Sequence, residues 1–462
     1  MDNPSRGALT GLPLRRFDIV LASISYELDI VNLVKILYAN DLNPVKRHRS
    51  LDDPLIIVGG LPPTANPLPF SVIADGVFIG DGEVLLELIV NSAVNRSSSP
   101  SWKANMLDGL SRGSHLFTGS EASVKKAVVS NLDNAYHPVP QIRSELVKPV
   151  YGDGFYVEVS RGCRWLCPYC LESFTTFPPR YRSFNTIKSL ILKGLQYVNE
   201  RRVIIYSLSF FDHPSSDELL NWLLSEGIKY SLPSLRYTTL NVARMELVAA
   251  GGQRTITIAP ETVDVDVSCA IRKCFLRELV YELSRYALLK DMNVKLYFIF
   301  GLPGEGVDIG RRTAEFINEV TATGLRRSGQ VRVSVNPFIP KPNTAMQYFP
   351  LPSREVFERK VKELLRNIDR RVRVSVYNWK LAFAQALIAL GDENAGYLSI
   401  EWALKGGKLG QLKSMLSEIG YSPRYVFSRK ELGHEFPWSS IDLGVKGVIN
   451  KLANELLALS GS

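Results

Sequence analysis

The stretch SRGCRWLCPYC, residues 160–170, contains three of the chain's five cysteines. Cys163, Cys167 and Cys170 follow the spacing Cys-x3-Cys-x2-Cys on what is predicted to be one tight loop. A closed structural zinc site takes four ligands, and no second Cys-x2-Cys pair follows at the distance found in zinc ribbons. Three thiolates on one loop instead match an iron–sulfur cubane whose fourth iron stays open to bind another molecule.

This loop directly follows the first of six strands that the sequence predicts in its central region. The predicted strands cover residues 155–160, 203–209, 235–240, 254–259, 295–301 and 331–338. Helical patterns lie between most of them, which predicts parallel strands. Six repeats are too few for a closed eight-fold barrel, so we expect an open partial (β/α)6 barrel. The three cysteines then lie at the carboxyl mouth of the barrel, where such folds carry their chemistry.

The spacing Cys-x3-Cys-x-aromatic-Cys, with Tyr169 at the aromatic position, resembles the signature of the radical S-adenosylmethionine (radical SAM) superfamily. The resemblance implies that Cys163, Cys167 and Cys170 are both metal ligands and catalytic residues, holding a [4Fe-4S] cluster that binds SAM at its open iron. An electron from the cluster would cleave SAM to a 5′-deoxyadenosyl radical, which takes hydrogen from an unactivated C–H bond. The protein would bind the cluster, position SAM and exclude water.

Segments at other strand ends resemble those with which relatives hold SAM. The resemblance assigns the following cofactor-binding residues: Tyr169, Ser207, Ser209, Glu261, Gly301, Gly304 and Asn336. The two serines would contact the SAM amino group, and Glu261 would hold the ribose hydroxyls. The segments FGLPGE (300–305) and VNPFIPKPNT (335–344) would lie beside the adenine. Turn formation alone also explains glycine and proline at such positions.

The first 90 residues show strand, helix, strand and Gly-rich turns, a pattern typical of a flavodoxin- or Rossmann-like doubly wound domain with ligands at the carboxyl ends of its strands. The region resembles the amino-terminal domain of cobalamin-binding radical SAM proteins. Its two loops would contact cobalamin through Gly59, Gly60, Leu61, Asn66, Gly80, Gly82 and Glu83. Glycine lets the backbone approach a large flat ligand closely. The alternative is a domain of this fold that only shapes a substrate channel.

The Asp-x-His-x-x-Gly motif that supplies histidine to cobalt in many cobalamin proteins is absent. We therefore expect neither His48 nor His115 to be a cobalt ligand. If cobalamin binds, the resemblance implies a class B methyltransferase-like architecture and methyl transfer to an unactivated carbon. If it does not, a radical SAM enzyme acting on RNA, protein or lipid remains, by carbon–carbon bond formation, rearrangement or sulfur insertion. A non-catalytic iron–sulfur protein is the alternative outside enzymes.

Other features limit these alternatives. Methylthiotransferases of the superfamily carry three further amino-terminal cysteines, whereas this chain has none before Cys163. Cys269 and Cys274 lie in an apparent helix and are expected to stay outside the metal site. The formal charge of +9 mildly favours RNA or an acidic protein as substrate. An electron donor such as ferredoxin or flavodoxin is also implied.

Prolines and changes in pattern divide the chain into three predicted domains: a cobalamin-binding-like domain (1–145), a radical SAM partial barrel (146–352) and a mainly helical domain (353–462). Sparse cysteines outside the loop favour a reducing compartment. No apolar run reaches the roughly 18 residues of a transmembrane helix. We therefore expect a cytoplasmic protein.

Overall fold

A computed structural model describes residues 6–7, 9–94, 102–119, 121–144, 149–323 and 330–459. These residues form a mixed α/β structure with two larger strand systems and a set of carboxyl-terminal helices. The predicted domain limit near residue 145 lies outside the described residues. No helix among the described residues combines the length and apolar character needed to cross a bilayer.

The amino-terminal region is a small sheet with helices on both faces. Its elements are β1 (Ile19–Ser23), α1 (Asp29–Ala39), β2 (Leu55–Gly59), α2 (Leu61–Ala65), α3 (Leu68–Ser71), β3 (Gly76–Phe78), α4 (Gly82–Val94), α5 (Trp102–Ser111), β4 (Leu116–Phe117) and β5 (Val124–Lys125). The sheet order is β1-β2-β3-β4, with the first three strands parallel and β4 antiparallel. This order does not reverse, so these four strands form no switch point of the doubly wound kind.

Strand β2 shows why this sheet is covered on both sides. Ile56 and Val58 belong to the large core that contains α1, whereas Leu55 and Ile57 belong to a smaller core with α4 and α5. A strand buried on both faces needs a continuous apolar run, and LIIV supplies one.

The central region alternates strands and helices around an open barrel. Its elements are β6 (Phe155–Glu158), β7 (Ser160–Arg161), α6 (Leu171–Thr175), β8 (Arg180–Tyr181), α7 (Phe184–Gly194), β9 (Arg202–Tyr206), α8 (Ser216–Ser225), β10 (Lys229–Ser231), α9 (Val242–Ala250), β11 (Thr255–Glu261), α10 (Val265–Ala270), α11 (Arg277–Leu289), β12 (Asn293–Phe300), α12 (Ile309–Ala322), β13 (Val331–Pro337), α13 (Arg354–Asn367) and β14 (Arg373–Val376).

The barrel is made of two parallel sheets with the orders β10-β9-β6 and β11-β12-β13-β14. One isolated parallel bridge joins Leu235, which follows β10 in the chain, to Ile258 of β11. The third barrel strand was predicted at 235–240, which is wrong. It lies earlier, at β10, and the predicted stretch forms that single bridge followed by a 3₁₀ turn at Tyr237–Thr239. The alternating side chains of LRYTTL suggest a strand, but only Leu235 pairs.

A seventh strand continues the barrel beyond the predicted domain limit at 352. Strand β14 pairs in parallel with β13, from Arg332 with Arg373 to Val335 with Val376. The region 353–462 is therefore not purely helical at its start. Strands β6 and β14 are the outer strands of the two sheets, and no pairing between them is seen among the described residues.

The inner wall of the barrel is only partly covered. Along β12 the side chains alternate, with Val294, Leu296, Phe298 and Phe300 fully buried against the helices and their neighbours partly exposed toward the interior. A cavity of about 1600 Å³ runs inside β9 and β10. Its lining includes Arg202 at the amino end of β9, followed by Ile204, Tyr206 and Leu208. Glu172, which follows the cysteine loop, also lines it.

The carboxyl-terminal elements are α14 (Trp379–Ala389), α15 (Glu393–Leu404), α16 (Leu412–Glu418), α17 (Arg424–Phe427), β15 (Ile441–Asp442) and α18 (Lys446–Leu459). Strand β15 pairs in parallel with β5 of the amino-terminal region. One continuous core contains residues of the amino-terminal sheet, of these helices, and Leu166 and Phe174 beside the cysteines. The three regions are thus packed together around the mouth of the barrel.

Candidate active site

The three cysteines lie on one loop between β7 and α6. Gly162 has a φ of +88°, and a Cβ there would meet the Pro178 and Thr176 carbonyl oxygens at 2.6 and 2.7 Å. Glycine is therefore required where the loop leaves the β7–β8 hairpin. The Cys170 N–H donates to the Cys167 carbonyl at 2.9 Å, which closes a tight turn before α6 begins. All three thiols are free of disulfides, and Cys167 is buried.

The loop buries Cys167 and partly buries Cys163 and Cys170. Burial raises the pKa of Cys163, partly offset by the Trp165 N–H and the Ser173 hydroxyl, and raises the pKa of Cys170 to about 12. Binding to a metal deprotonates such a thiol outright. Within the described ranges, no three or more His, Cys, Asp or Glu side chains converge as ligands of a single metal ion would. Thiolates that hold a cubane bind different irons and need not converge.

A second group of polar side chains meets the cysteine loop at the end of β11. Glu261 is 7% exposed and has a φ of +69°, rare for a residue other than glycine. The register of β11 against β12 shifts between Ile258 and Glu261, and this irregularity turns the carboxylate. Its Oε1 accepts hydrogen bonds from the Tyr169 hydroxyl at 2.9 Å and from Lys273 Nζ at 2.7 Å. The sequence did not indicate the role of Lys273.

Lys273 reaches Glu261 from the loop that follows α10. A disulfide joins Cys269, in the last turn of α10, to Cys274 in this loop, with the Cα atoms 3.9 Å apart. The sequence-based interpretation placed both cysteines in one helix, which is wrong, because α10 ends at Ala270. Cys269 and Cys274 were expected to stay outside the metal site, and their pairing with each other is consistent with that expectation. The Tyr237 hydroxyl donates to the carbonyl of Lys273 at 3.2 Å and so fixes the loop.

Ser207 and Ser209 follow β9, as the predicted contacts of the SAM amino group. The Ser207 hydroxyl is hydrogen-bonded to the Ser160 hydroxyl at 2.7 Å and accepts from the Ser209 N–H at 3.3 Å. The Ser209 hydroxyl is buried without a hydrogen-bond partner among the described residues. A buried, unsatisfied hydroxyl is costly and points to a group that the protein alone does not supply.

The predicted adenine-side residues lie at the ends of β12 and β13. Gly301 and Gly304 both have positive φ values, and the Gly301 N–H donates to Glu305 at 2.6 Å. Glu305 is paired with Lys360 at 2.7 Å in a buried contact, which holds the turn. Asn336 pairs with Ile299 across β13 and β12 and is only partly buried.

Arg236 is a residue of the site that sequence reasoning missed. Its Nη1 lies 3.5 Å from Cys167 Sγ, and its guanidinium carbon lies 3.7 Å from the centre of the Trp165 ring. The sequence analysis predicted a strand at 235–240, and in a strand Arg236 would have no special position. Its contact with Cys167 was therefore not predicted. An arginine within an otherwise apolar and hydroxylated stretch was the available signal.

The predicted cobalamin loops are largely engaged in protein contacts. A Cβ at Gly60 would meet the Ile24 carbonyl at 2.1 Å, and one at Gly80 would meet the Ala127 carbonyl at 2.2 Å. These two glycines are therefore needed for close approach of protein backbone. Asn66 Nδ2 donates to the carbonyls of Ala389 at 3.0 Å and Gly391 at 2.7 Å. Gly59, Leu61 and Gly82 remain partly or fully exposed.

The second of these loops is also joined electrostatically to the cysteine loop. Arg161 lies 2.9 Å from Glu83, 3.2 Å from Asp81 and 2.9 Å from Glu158. Arg180 contacts the other oxygen of Asp81 at 2.5 Å. The amino-terminal region is thereby held against the two strands that frame the cysteines. Glu83, predicted as a cofactor contact, is used in this network.

Neither amino-terminal histidine faces a ligand loop of the required kind. His115 Nδ1 is 2.7 Å from the Lys125 carbonyl, and its ring packs edge-on against Phe78. His48 ends a 3₁₀ turn between α1 and β2. The structure thus gives His115 a local role, and the absence of a histidine ligand to cobalt stays a prediction.

The arrangement suits an iron–sulfur cluster with a bound nucleoside derivative. Three free thiols on one loop supply the donor set of a cubane, and an unpartnered hydroxyl and a buried carboxylate lie at the neighbouring strand ends. For cobalamin the fit is incomplete, since four of the seven predicted contact residues (Gly60, Asn66, Gly80 and Glu83) are already engaged with protein groups.

Comparisons with known proteins agree with the site. A family model described as radical SAM proteins, N-terminal, matches residues 4–117, and one described as the radical SAM superfamily matches residues 157–317. An uncharacterized protein of Methanocaldococcus jannaschii is 27% identical over 388 residues, which cover 82% of this chain and 79% of the relative.

Solved structures extend the likeness to most of the chain. The radical SAM methyltransferase TsrM of Kitasatospora setae, with tryptophan and a SAM analogue bound, matches with a TM-score of 0.53 and 12% identity over 88% of this chain and 89% of TsrM. TsrM with cobalamin and a [4Fe-4S] cluster bound gives a TM-score of 0.55 and 13% identity over 85% and 88% of the two chains. At such identity the match shows a shared fold.

The second family model contains the cysteine loop, Ser209 and Glu261, so it covers the residues that the geometry brings together. The first covers the amino-terminal sheet that is joined to that loop through Arg161. The chain belongs to the radical SAM superfamily.

Proposed function

We propose that this chain is a radical SAM enzyme that binds a [4Fe-4S] cluster at Cys163, Cys167 and Cys170 and reductively cleaves SAM beside it. The observation that carries the proposal is the meeting of the cysteine loop with Glu261, through Tyr169. An electron carrier of the iron–sulfur class has no need of a buried carboxylate and a free hydroxyl beside its cluster loop. A SAM-binding site needs both.

The cysteines would bind the cluster, and Ser209 and Glu261 would bind SAM. The thiolates hold three irons, and the cluster supplies the electron that cleaves SAM to methionine and a 5′-deoxyadenosyl radical. The Ser209 hydroxyl, which lacks a protein partner among the described residues, accepts a hydrogen bond from the SAM amino group. Glu261 accepts from the ribose hydroxyls while Lys273 and Tyr169 keep its carboxylate oriented.

The substrate is proposed to occupy the cavity inside the barrel. Its volume of about 1600 Å³ exceeds the roughly 300–1000 Å³ of ordinary small-molecule pockets. Apolar side chains such as Tyr206 and Leu208 are more than a third exposed toward it, beside the serines at the end of β9. A substrate carbon held against these side chains would be shielded from water close to the SAM site.

The finer proposal is methyl transfer to an unactivated carbon with cobalamin as the methyl carrier. Its support is the fold shared with TsrM over 88% of the chain, since TsrM is a methyltransferase and was solved with cobalamin bound. Gly59, Leu61 and Gly82 are the predicted contact residues that remain accessible.

The second candidate is a radical SAM enzyme that works without cobalamin. It is favoured by the engagement of Gly60, Asn66, Gly80 and Glu83 in contacts within the protein. In that case the amino-terminal region closes the barrel mouth and shapes the substrate channel. RNA, protein and lipid remain substrate classes, and a low-potential ferredoxin or flavodoxin is the proposed electron donor.

The test is anaerobic reconstitution of the full chain with iron and sulfide, addition of SAM and dithionite, and measurement of 5′-deoxyadenosine by mass spectrometry. We expect the wild type to form this product and the Cys167→Ala variant to form none. Wild-type protein with about four irons per chain and no product above the variant's background would contradict the proposal. Sodium dithionite serves as the reductant, so no partner protein is needed.

A further inference from the structure

Arg236 is held in one position by contacts with three different parts of the chain. Its Nε donates to Thr238 Oγ1 at 2.9 Å, its Nη2 to the Arg272 carbonyl at 2.7 Å, and its Nη1 to Cys167 Sγ at 3.5 Å. Sulfur is large, and 3.5 Å is an ordinary distance for an N–H···S hydrogen bond. The Arg236 side chain thus connects the stretch after β10 with the loop after α10 and with the cysteine loop.

Stacking fixes the plane of the same guanidinium group. Its central carbon lies 3.7 Å above the centre of the Trp165 ring, close for a cation–π contact. The Trp165 ring is itself held by a hydrogen bond from its Nε1 to Asp212 at 2.6 Å. Arg236 is therefore pre-organised, and its N–H group points at Cys167 before any cofactor is bound.

The contact places a permanent positive charge and a hydrogen-bond donor at one of the three cluster sulfurs. Arginine stays protonated under all conditions of interest. Reduction adds one electron to an iron–sulfur cluster, and hydrogen bonds to its sulfurs are among the features that set the potential. A donor and a cation at Cys167 stabilise the more negative, reduced cluster relative to the oxidised one. The reduction potential is therefore raised.

We propose that Arg236 is a positioning residue that raises the reduction potential of the cluster through its contact with Cys167. The proposal rests on the proposed function, because it requires that a cluster binds at the three cysteines. In the test, dithionite supplies the electron that reduces the cluster. Arg236 itself forms and breaks no covalent bond. In this role Arg236 acts on the cluster alone and leaves SAM binding to other residues.

The chain offers a matched control in the same loop. Arg164 also lies over the Trp165 ring, with its guanidinium carbon 5.6 Å from the ring centre, but it is exposed, and no hydrogen bond from it to a cysteine sulfur is seen in the described structure. Arg164→Gln removes the same charge from the same loop. Arg236→Gln removes the charge together with the N–H···S contact.

The experiment is a dithionite titration of the reconstituted full-length variants without SAM, followed by electron paramagnetic resonance of the reduced cluster. We expect Arg236→Gln to have a lower potential than the wild type, with Arg164→Gln close to the wild type. Arg236→Lys, which keeps the charge but loses the planar stacked group, should lie between. Iron content and the circular dichroism spectrum should be alike in all four proteins.

Three results would overturn the proposal. One is an unchanged potential in Arg236→Gln at full iron content, and another is an equal shift in Arg164→Gln, which would mean a general charge effect. The third is loss of SAM affinity in Arg236→Gln without a change of potential, which would make Arg236 a SAM ligand. If Arg236→Gln does not assemble a cluster, Arg236→Lys decides by its potential. The titration needs no turnover, so it stays informative even if the wild type forms no 5′-deoxyadenosine.

Discussion

Lys273 Nζ lies 2.7 Å from Glu261 Oε1, so the carboxylate predicted to hold the ribose of SAM is already paired with a cation inside the protein. Both side chains are about 10% exposed. The pair sets the orientation of the carboxylate and leaves its second oxygen for another donor. A substitution such as Glu261→Ala therefore also leaves the buried ammonium group of Lys273 without this acceptor.

The first prediction concerns SAM affinity. Glu261→Ala should weaken SAM binding by about 1.5–3 kcal/mol, the cost of a lost charge-assisted hydrogen bond, which is about 10- to 150-fold in Kd. Glu261→Gln, which keeps an acceptor, should lose less. Isothermal titration calorimetry of the reconstituted proteins measures both.

A double variant separates direct contact from disturbance by Lys273. Glu261→Ala combined with Lys273→Met removes the unpaired cation, and SAM binding should stay weak if the carboxylate touches the ribose. Recovery of wild-type affinity in the double variant, or unchanged affinity in Glu261→Ala, would remove Glu261 from the SAM site.

The second prediction concerns the cluster ligands. Replacing Cys163, Cys167 or Cys170 with Ala should abolish the brown colour and the bound iron, because a thiolate ligand of the cubane is lost. Replacing Cys269 and Cys274 together should leave iron content unchanged, since they pair with each other. Iron and sulfide assays after anaerobic reconstitution test both. Loss of half the iron in the double variant would reveal a second metal site.

The third prediction concerns the joint between the amino-terminal region and the cysteine loop. Arg161 is 18% exposed and contacts Asp81, Glu83 and Glu158. Arg161→Met removes the cation seen on Glu83 and leaves Asp81 and Glu158 with Arg180 and Arg182 as their remaining cations. We expect a loss of about 3 kcal/mol in the free energy of unfolding. Urea unfolding followed by circular dichroism is the measurement.

Arg112→Met is the control for that variant. Arg112 pairs with Asp108 on the surface, with both side chains more than 70% exposed, and such pairs contribute about 0–1 kcal/mol. Equal stability losses in the two variants would show that the Arg161 network does not hold the joint.

The fourth prediction concerns pH. Burial lowers the pKa of Lys430 from 10.5 to about 8. Between these values the unfolded chain holds a proton that the folded chain has released, so a rise in pH favours the folded state. The contribution of Lys430 to stability should therefore increase from about pH 8 to about pH 10.5, by at most ~1.4 kcal/mol per pH unit.

Lys430→Met should remove this slope and be more stable than the wild type at pH 7, because no charge is buried. Lys446→Met, on the exposed surface of α18, should follow the wild-type profile. Urea unfolding at four or five pH values provides the comparison. Parallel profiles for wild type and Lys430→Met would be incompatible with the lowered pKa.

The fifth prediction concerns cobalamin and decides between the two proposed reaction classes. Reconstitution with hydroxocobalamin, gel filtration and an absorbance spectrum should show stoichiometric retention in a base-off form. His48→Ala and His115→Ala should retain as much, since neither histidine lies at a predicted corrin loop. No retention, with SAM cleavage intact, would rule out the cobalamin-dependent methyltransferase proposal and leave the cobalamin-independent enzyme.

The cysteine loop was predictable because the residues that define it are close together in the sequence. Three cysteines at fixed spacing, after a strand and before a helix, define a loop and its ligand set without knowledge of the rest of the fold. Glu261 was predictable only through a resemblance at the end of a strand. Lys273 and Arg236 were not predicted, because their partners lie 12 and 69 residues away and no spacing rule joins them.

The errors in the fold have equally physical causes. The stretch 235–240 alternates like a strand, yet its backbone pairs at a single position and then turns. Strand β14 has only four residues and is mostly exposed, so the alternation of Arg373 and Ser375 with Val374 and Val376 was not interpreted as a strand between two helical stretches. Gly60 and Gly80 were predicted to let the backbone approach a corrin, whereas in the structure a Cβ at either position would meet the backbone of the same chain.

The core shared by Leu166 and Phe174, the amino-terminal sheet and the carboxyl-terminal helices bears on how such chains can recombine. A gene fusion that exchanged only the first 145 residues between relatives would replace one side of this core and leave the other unchanged. Side chains on either side of the cluster ligands would then face a surface that had not evolved with them. Functional chimeras should therefore inherit the two ends of the chain together, even though the barrel separates them in sequence.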